Sequence, residues 1–125
     1  MSTHPKKTVK TLVARRQNYR CAVCGRDLLD AWVRHSFHHR HMRSHPMPDI
    51  HEPQNLLLVC GSGTEGCHHR IHANPLWAYR MGYLVHMENE HPENRQYYDK
   101  RRGWLYLDPD GTDRPAPEPD DEGDR

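Results

Sequence analysis

Apolar positions along this chain fall in short, separated groups, and each group has a period. Over residues 7–19, Val9, Leu12, Val13 and Tyr19 recur near helical spacing, with Lys10, Arg15 and Arg16 at other positions. This predicts a short basic helix, entered at Thr8 or just before it. Over residues 33–39 the period changes to two: Val33, His35, Phe37 and His39 alternate with Arg34, Ser36 and His38. That is the pattern of a strand, in which neighbouring side chains point to opposite faces. His38 and His39 are therefore placed for different tasks. Pro46, Pro48 and Pro53, interspersed with His41, His45 and His51, mark residues 41–54 as a loop.

Asn55 then opens the run Leu56-Leu57-Leu58-Val59-Cys60, which reads as a buried strand or as a single turn of helix. A helix is predicted over residues 67–73. Asn74-Pro75 has the form of an N-cap and first-turn pair for a second short helix, which Gly82 would end. Residues 83–87 and 104–107 read as two strands able to pair with each other. Asp110-Gly111 marks a turn, and the Pro- and Asp-rich end is expected to be disordered. There is no internal repeat.

Composition sharpens this outline. The chain has 125 residues, 34% of them hydrophobic, with a single Phe. It reads as one small α+β domain over residues 1–107, with its core at about 21–81, followed by an acidic tail over 108–125. So polar a chain has little apolar surface to bury, and small domains are marginal on burial alone. A further staple is expected, and four cysteines offer either two disulfides or one zinc. The first ten residues are polar and basic, without the apolar stretch of a secretory signal, and no run nears the ~20 residues of a membrane span. The expected compartment is therefore the cytoplasm, where thiols stay reduced and bind metal.

Charge is uneven. Residues 108–125 hold eight acidic residues and two arginines, a net of −6. The preceding residues hold sixteen Lys and Arg against nine Asp and Glu, a net of +7. A basic body suits a polyanionic partner such as nucleic acid.

The candidate chemistry lies in Cys60-Gly61-Ser62-Gly63-Thr64-Glu65-Gly66-Cys67-His68-His69-Arg70-Ile71-His72. His68 and His72 are four apart, so on a helix they share one face and can grip one ion. Cys60 and Cys67 flank a loop with three glycines. Upstream, Cys21-Ala22-Val23-Cys24-Gly25 has the form of a zinc knuckle, because a C-x2-C turn directs backbone N–H groups at the sulfurs. A redox dithiol has the same spacing, but its βαβ setting is absent. Together the cysteines predict a structural four-cysteine zinc that supplies folding free energy. The histidine pair needs a third ligand from elsewhere, and His38-His39 is the neighbouring pair on a strand.

The combined pattern, Cys21-x2-Cys24-Gly25, Phe37-His38-His39-Arg40, Asn55 through Cys60, and Cys67-His68 with His72, resembles the HNH endonuclease family. It looks most like the small HNH proteins of tailed bacteriophages. The resemblance implies a ββα-metal (His-Me finger) core, stabilised by zinc. It implies that His38, His68 and His72 ligate a catalytic divalent ion (Mg2+, Mn2+, Ni2+ or Zn2+), that His39 is the general base, and that Asn55 holds the loop between the strands and helps orient that base. Relatives have a Gly-rich stretch after the His-His-Arg, where this chain has His41-Met42-Arg43-Ser44-His45, so His41 and His45 compete as ligands. The implied activity is phosphodiester hydrolysis in DNA, in the host cytoplasm beside a phage terminase. Arg40, Lys10, Arg15 and Arg16 are the expected DNA contacts. The competing reading is a non-catalytic zinc module that binds nucleic acid, which would need neither His39 nor Asn55.

Overall fold

A computed structural model describes residues 4–30, 32–42, 50–86 and 91–120. The chain is a small α+β protein with short helices and two small antiparallel sheets. Helix α1 spans Lys7–Arg16. It buries Val13 and half-buries Val9, one turn apart on one face, while Leu12 stays 42% exposed. Strands β1 (His35–His39) and β2 (Leu56–Cys60) pair antiparallel, with His39 opposite Leu56 and His35 opposite Cys60. Every residue of β2 is buried, which explains its unbroken apolar run: a strand covered on both faces has no reason to alternate.

What covers β2 on its second edge is side chain as well as backbone. Gln17, just past α1, accepts from the Leu58 N–H at 2.9 Å and donates to the Leu58 carbonyl at 2.8 Å. One amide thus stands in for a strand neighbour and satisfies groups that an edge would leave open. Arg16 adds bonds from its guanidinium to the carbonyls of Pro53 (2.9 Å) and Leu56 (2.6 Å).

Helices α2 (Gly66–Ala73) and α3 (Pro75–Arg80) follow β2. Ile71 on α2 is fully buried, as is Ala78 on α3. Pro75 starts α3, but Asn74 does not cap it with its side chain. Its Nδ2 instead donates to the Arg70 carbonyl at 3.0 Å, so this residue closes α2. Among the described residues no helix is long and apolar enough to cross a membrane.

Two expectations are corrected in the C-terminal third. Residues 83–86 form no strand. The Tyr83 N–H is taken by the Ala78 carbonyl and the Tyr83 carbonyl by the His38 ring, so its backbone groups serve a helix end and a histidine instead of a ladder. Met87 lies outside the described residues. The second sheet is instead β3 (Tyr97–Asp99), β4 (Gly103–Leu107) and β5 (Asp113–Pro115), in that order. Strand β5 falls inside the supposed disordered tail. Arg102 pairs with Asp113 at 2.8 Å, and Gln96 donates to the Pro117 carbonyl at 3.0 Å. The folded unit therefore runs past residue 107 to at least 117, and part of the tail's acidity is consumed inside it. Residues 121–125 lie outside the described residues.

Candidate metal centres

The four cysteines converge. Cys21 and Cys24 sit on a tight turn that Gly25 N–H closes onto the Cys21 carbonyl at 2.9 Å, and that turn is sutured to β2 by Ala22 N–H to the Leu58 carbonyl at 3.0 Å. Cys60 ends β2 and Cys67 enters α2. The six residues between them fold back through Gly61 and Gly66. Both have positive φ, and a Cβ on Gly61 would run into the Glu65 carbonyl. No side chain other than hydrogen fits that crossing.

All four Sγ atoms lie within 4.8 Å of one another. Cys24 and Cys60 Sγ are 3.8 Å apart, far beyond a disulfide's ~2.05 Å. It matches the ~3.8 Å edge of a tetrahedron with ~2.3 Å zinc–sulfur bonds. Cys21, Cys60 and Cys67 are buried and Cys24 is at the surface. As thiols the sulfurs shift one another's protonation. A bond from the Cys67 thiol, with help from backbone N–H groups, pulls Cys21 down to about 5. The same bond, reinforced by burial, pushes Cys67 far above the usual thiol range. Partial desolvation, with the neighbouring Cys21 and Cys60 sulfurs, raises Cys24 to about 11 even though it reaches the surface. Four sulfurs converging at this spacing fit a structural zinc, which thiolates bind once their protons are displaced.

The second centre is built from β1 and α2. His38, His68 and His72 place one ring nitrogen each within 4.8 Å of the others. Ring centroids are 5.5 Å apart for His38 with either partner and 5.1 Å for His68 with His72. His38 is 1% exposed, and its Nε2 lies 2.6 Å from the Tyr83 carbonyl. A carbonyl only accepts, so Nε2 carries the hydrogen and Nδ1 keeps the lone pair that can ligate. The Nδ1 atom of His68 is buried without a hydrogen-bond partner, a polar atom for which an ion is the natural partner.

Burial, opposed by the Tyr83 bond, lowers His38 to about 3. Burial and the neighbouring imidazole lower His68 and His72 as well. All three rings are thus neutral near pH 7, the form a metal binds. His38 is buried, His68 half-buried and His72 exposed. Three such donors, if they held an ion, would leave room for a further ligand, whereas four sulfurs would complete a tetrahedral site.

His39, the next residue on β1, faces elsewhere. Its Nε2 is 3.0 Å from Nδ1 of His51. Asn55 is fully buried and clamps the intervening loop: its Oδ1 accepts from the His41 N–H and its Nδ2 donates to the Ile50 carbonyl, both at 2.8 Å. His41 is buried but stands outside the three-histidine group among the described residues, while His45 lies outside them.

Two of the expected DNA contacts are corrected. Arg40 is fully buried and its guanidinium donates to the carbonyls of Gln54, Gly82, Pro92 and Arg95. Arg16 is 8% exposed and bound to backbone as described. Both hold segments together and neither can reach a phosphate. Arg15 is exposed and Lys10 is half-buried over the Phe37 ring. His51 was missed from the sequence because it sits in a proline-rich loop with no period to place its ring. No family model, curated protein or solved structure matches this chain.

Proposed function

We propose that this chain is a metal-dependent DNA endonuclease of the HNH type, stabilised by a structural zinc. The observation that carries the reading is the junction of β1 and α2. Three neutral imidazoles converge there on one open-sided point, with a fourth, His39, on the adjacent strand position. The order β1, β2, α2, with Asn55 clamping the loop between the strands, supports a ββα-metal core. A packaging role beside a phage terminase belongs to the same reading through the sequence resemblance.

His38 Nδ1 and one nitrogen each of His68 and His72 would hold the divalent ion. When bound, that ion supplies Lewis-acid stabilisation of charge on the phosphate and the leaving oxygen. The chain's own residues do the rest. His39 accepts the proton of the attacking water, an imidazole task near neutral pH. His38, fixed by the Tyr83 carbonyl, keeps its ring from turning. Exposed Lys7 and Arg15 on α1, and Arg26, Lys100 and Arg101 by the cysteine turn, are available to the phosphate backbone.

The test is cleavage of supercoiled plasmid with added magnesium, manganese or nickel, alongside calorimetric metal titration. Wild-type protein should cut. His39→Ala should lose about 10²- to 10⁴-fold in rate while keeping metal. His68→Ala should lose metal affinity and activity together, with partial recovery at higher metal. DNA binding without cleavage under every ion would select the non-catalytic zinc module instead.

A further inference from the structure

Strand β1 has a neighbour on one side only: among the described residues it pairs with β2 and with no other strand. The register shows which of its backbone groups are left over. Gly61 N–H donates to the Arg34 carbonyl at 2.7 Å and Arg40 N–H to the Asn55 carbonyl at 2.8 Å, so the bonded pairs fall on the even-numbered positions of β1. The odd positions turn the other way. Opposite Phe37, Leu58 directs its N–H and carbonyl to Gln17 and Ala22. Opposite His35, the Cys60 N–H goes to the Cys21 sulfur. The N–H and carbonyl of His35 and Phe37 therefore face out from the free edge, and no hydrogen bond among the described residues takes them. His35 is exposed and Phe37 half-buried, so this part of the edge is open to solvent.

Beside that edge lies a groove of about 270 Å³ between α1 and β1. Ala14, Leu28, Phe37 and Leu58 give it an apolar lining, Lys7 and Lys10 add positive charge, and no acidic residue lines it. Asp27 and Asp30, in the loop that carries Leu28, turn back to accept from the Leu29 and Trp32 N–H groups, each at 2.9 Å. Lys10 Nζ lies 5.8 Å from the centre of the Phe37 ring. Phe37 is the chain's only Phe, and in a protein with so thin a core it stands half-open beside a groove.

We propose that β1 is a docking edge for an extended acidic peptide, which adds as a third strand and places an apolar side chain in the groove. Strand addition uses the outward N–H and carbonyl groups, and alternate side chains of the added strand fall on the Phe37 face. The two lysines favour acidic residues at the remaining positions. A nucleic acid would engage the lysines but has no use for a strand edge or an apolar recess. A second copy of β1 would bring its own positive rim against this one. The inference stands apart from the endonuclease reading.

The full zinc-loaded chain is titrated with a labelled synthetic peptide, Asp-Glu-Val-Leu-Val-Glu-Asp, and amide exchange is read by NMR. In the free protein the His35 and Phe37 amides should exchange fast, while those of Ser36 and His38, bonded to β2, are protected. Peptide should slow His35 and Phe37. A peptide N-methylated at its central residues keeps its side chains and charge but cannot pair, and should bind at least about tenfold more weakly. Lys7→Glu with Lys10→Glu should weaken the parent peptide about tenfold at low salt and less at high salt. Equal binding of the parent and N-methylated peptides, or binding of neither, overturns strand addition. A free protein whose Phe37 amide is already protected assigns the edge to a second copy instead. A DNA oligonucleotide that slows these amides where the peptide does not would also defeat the proposal.

Discussion

The two centres share helix α2, only one residue apart at Cys67 and His68, yet they are built in opposite ways. The cysteine centre ties three remote parts of the chain: the turn after α1, the end of β2 and the start of α2. Backbone groups crowd it; the Cys60 N–H even donates to the Cys21 sulfur at 3.3 Å. The histidine centre joins only β1 and α2 and grades from a buried ring, His38, to an exposed one, His72. A closed centre that cross-links the core contributes to stability. An open-sided one can exchange its outer ligands, which is what a reacting group requires. Each group has one exposed member, Cys24 and His72, so what separates them is the number and kind of donors that converge, four sulfurs against three imidazoles.

The sharpest way to break this comparison is to remove one ligand from each centre. Cys60→Ser should leave the protein unfolded or insoluble, because the thin core loses its cross-link. His72→Ala should stay folded and lose only metal at the second centre. Circular dichroism with elemental analysis checks both. About one tightly held zinc per chain should survive in His72→Ala. Well-folded Cys60→Ser protein without zinc would make the two centres equivalent and sink the contrast.

A smaller effect concerns protons. A site of ordinary imidazoles gives up its ion as pH falls through about 6.5. All three rings here are lowered, His38 to about 3, mainly by burial. A proton competes for a lowered imidazole only at more acid pH. Metal affinity at the histidine centre should therefore stay level below pH 6.5 and fall later. Calorimetric titration from pH 7.5 to 5 reads this; a decline already complete by pH 6 would mean that burial does not govern the rings.

The smallest effect extends the same contrast to two adjacent arginines on α1. Arg16→Met removes two bonds to buried carbonyls and should lower the thermal midpoint, and on the proposed endonuclease reading it should leave the salt dependence of DNA binding alone. Arg15→Ala should leave the midpoint alone and reduce the salt slope by about 1. Reversed results would exchange the buried and open roles.

The clustering of four cysteines and of His68 with His72 was legible in the chain, because it depends on residue type and on short spacings around Cys21 and Cys60 and on one helix face, while His38 joined the histidines through the resemblance. The buried β2 strand was legible for a similar reason, since five apolar residues in a row have few other places to go. The loop role of Asn55 came from the motif, and the structure supplies its bonds to His41 and Ile50. Arg16, Arg40, His51 and β5 were not legible. Arg15 and Arg16 look the same in sequence, and what separates them is which carbonyls lie within reach once Pro53 and Leu56 have been brought to α1. Arg40 is internal because four carbonyls from distant segments converge on it. Strand β5 is short and carries Asp, Arg and Pro, so it has no propensity of its own and exists because β4 presents it with partners. Local chemistry marked the clustered cysteines and histidines; long-range backbone hydrogen bonding selected which polar side chains were drawn inside to satisfy it.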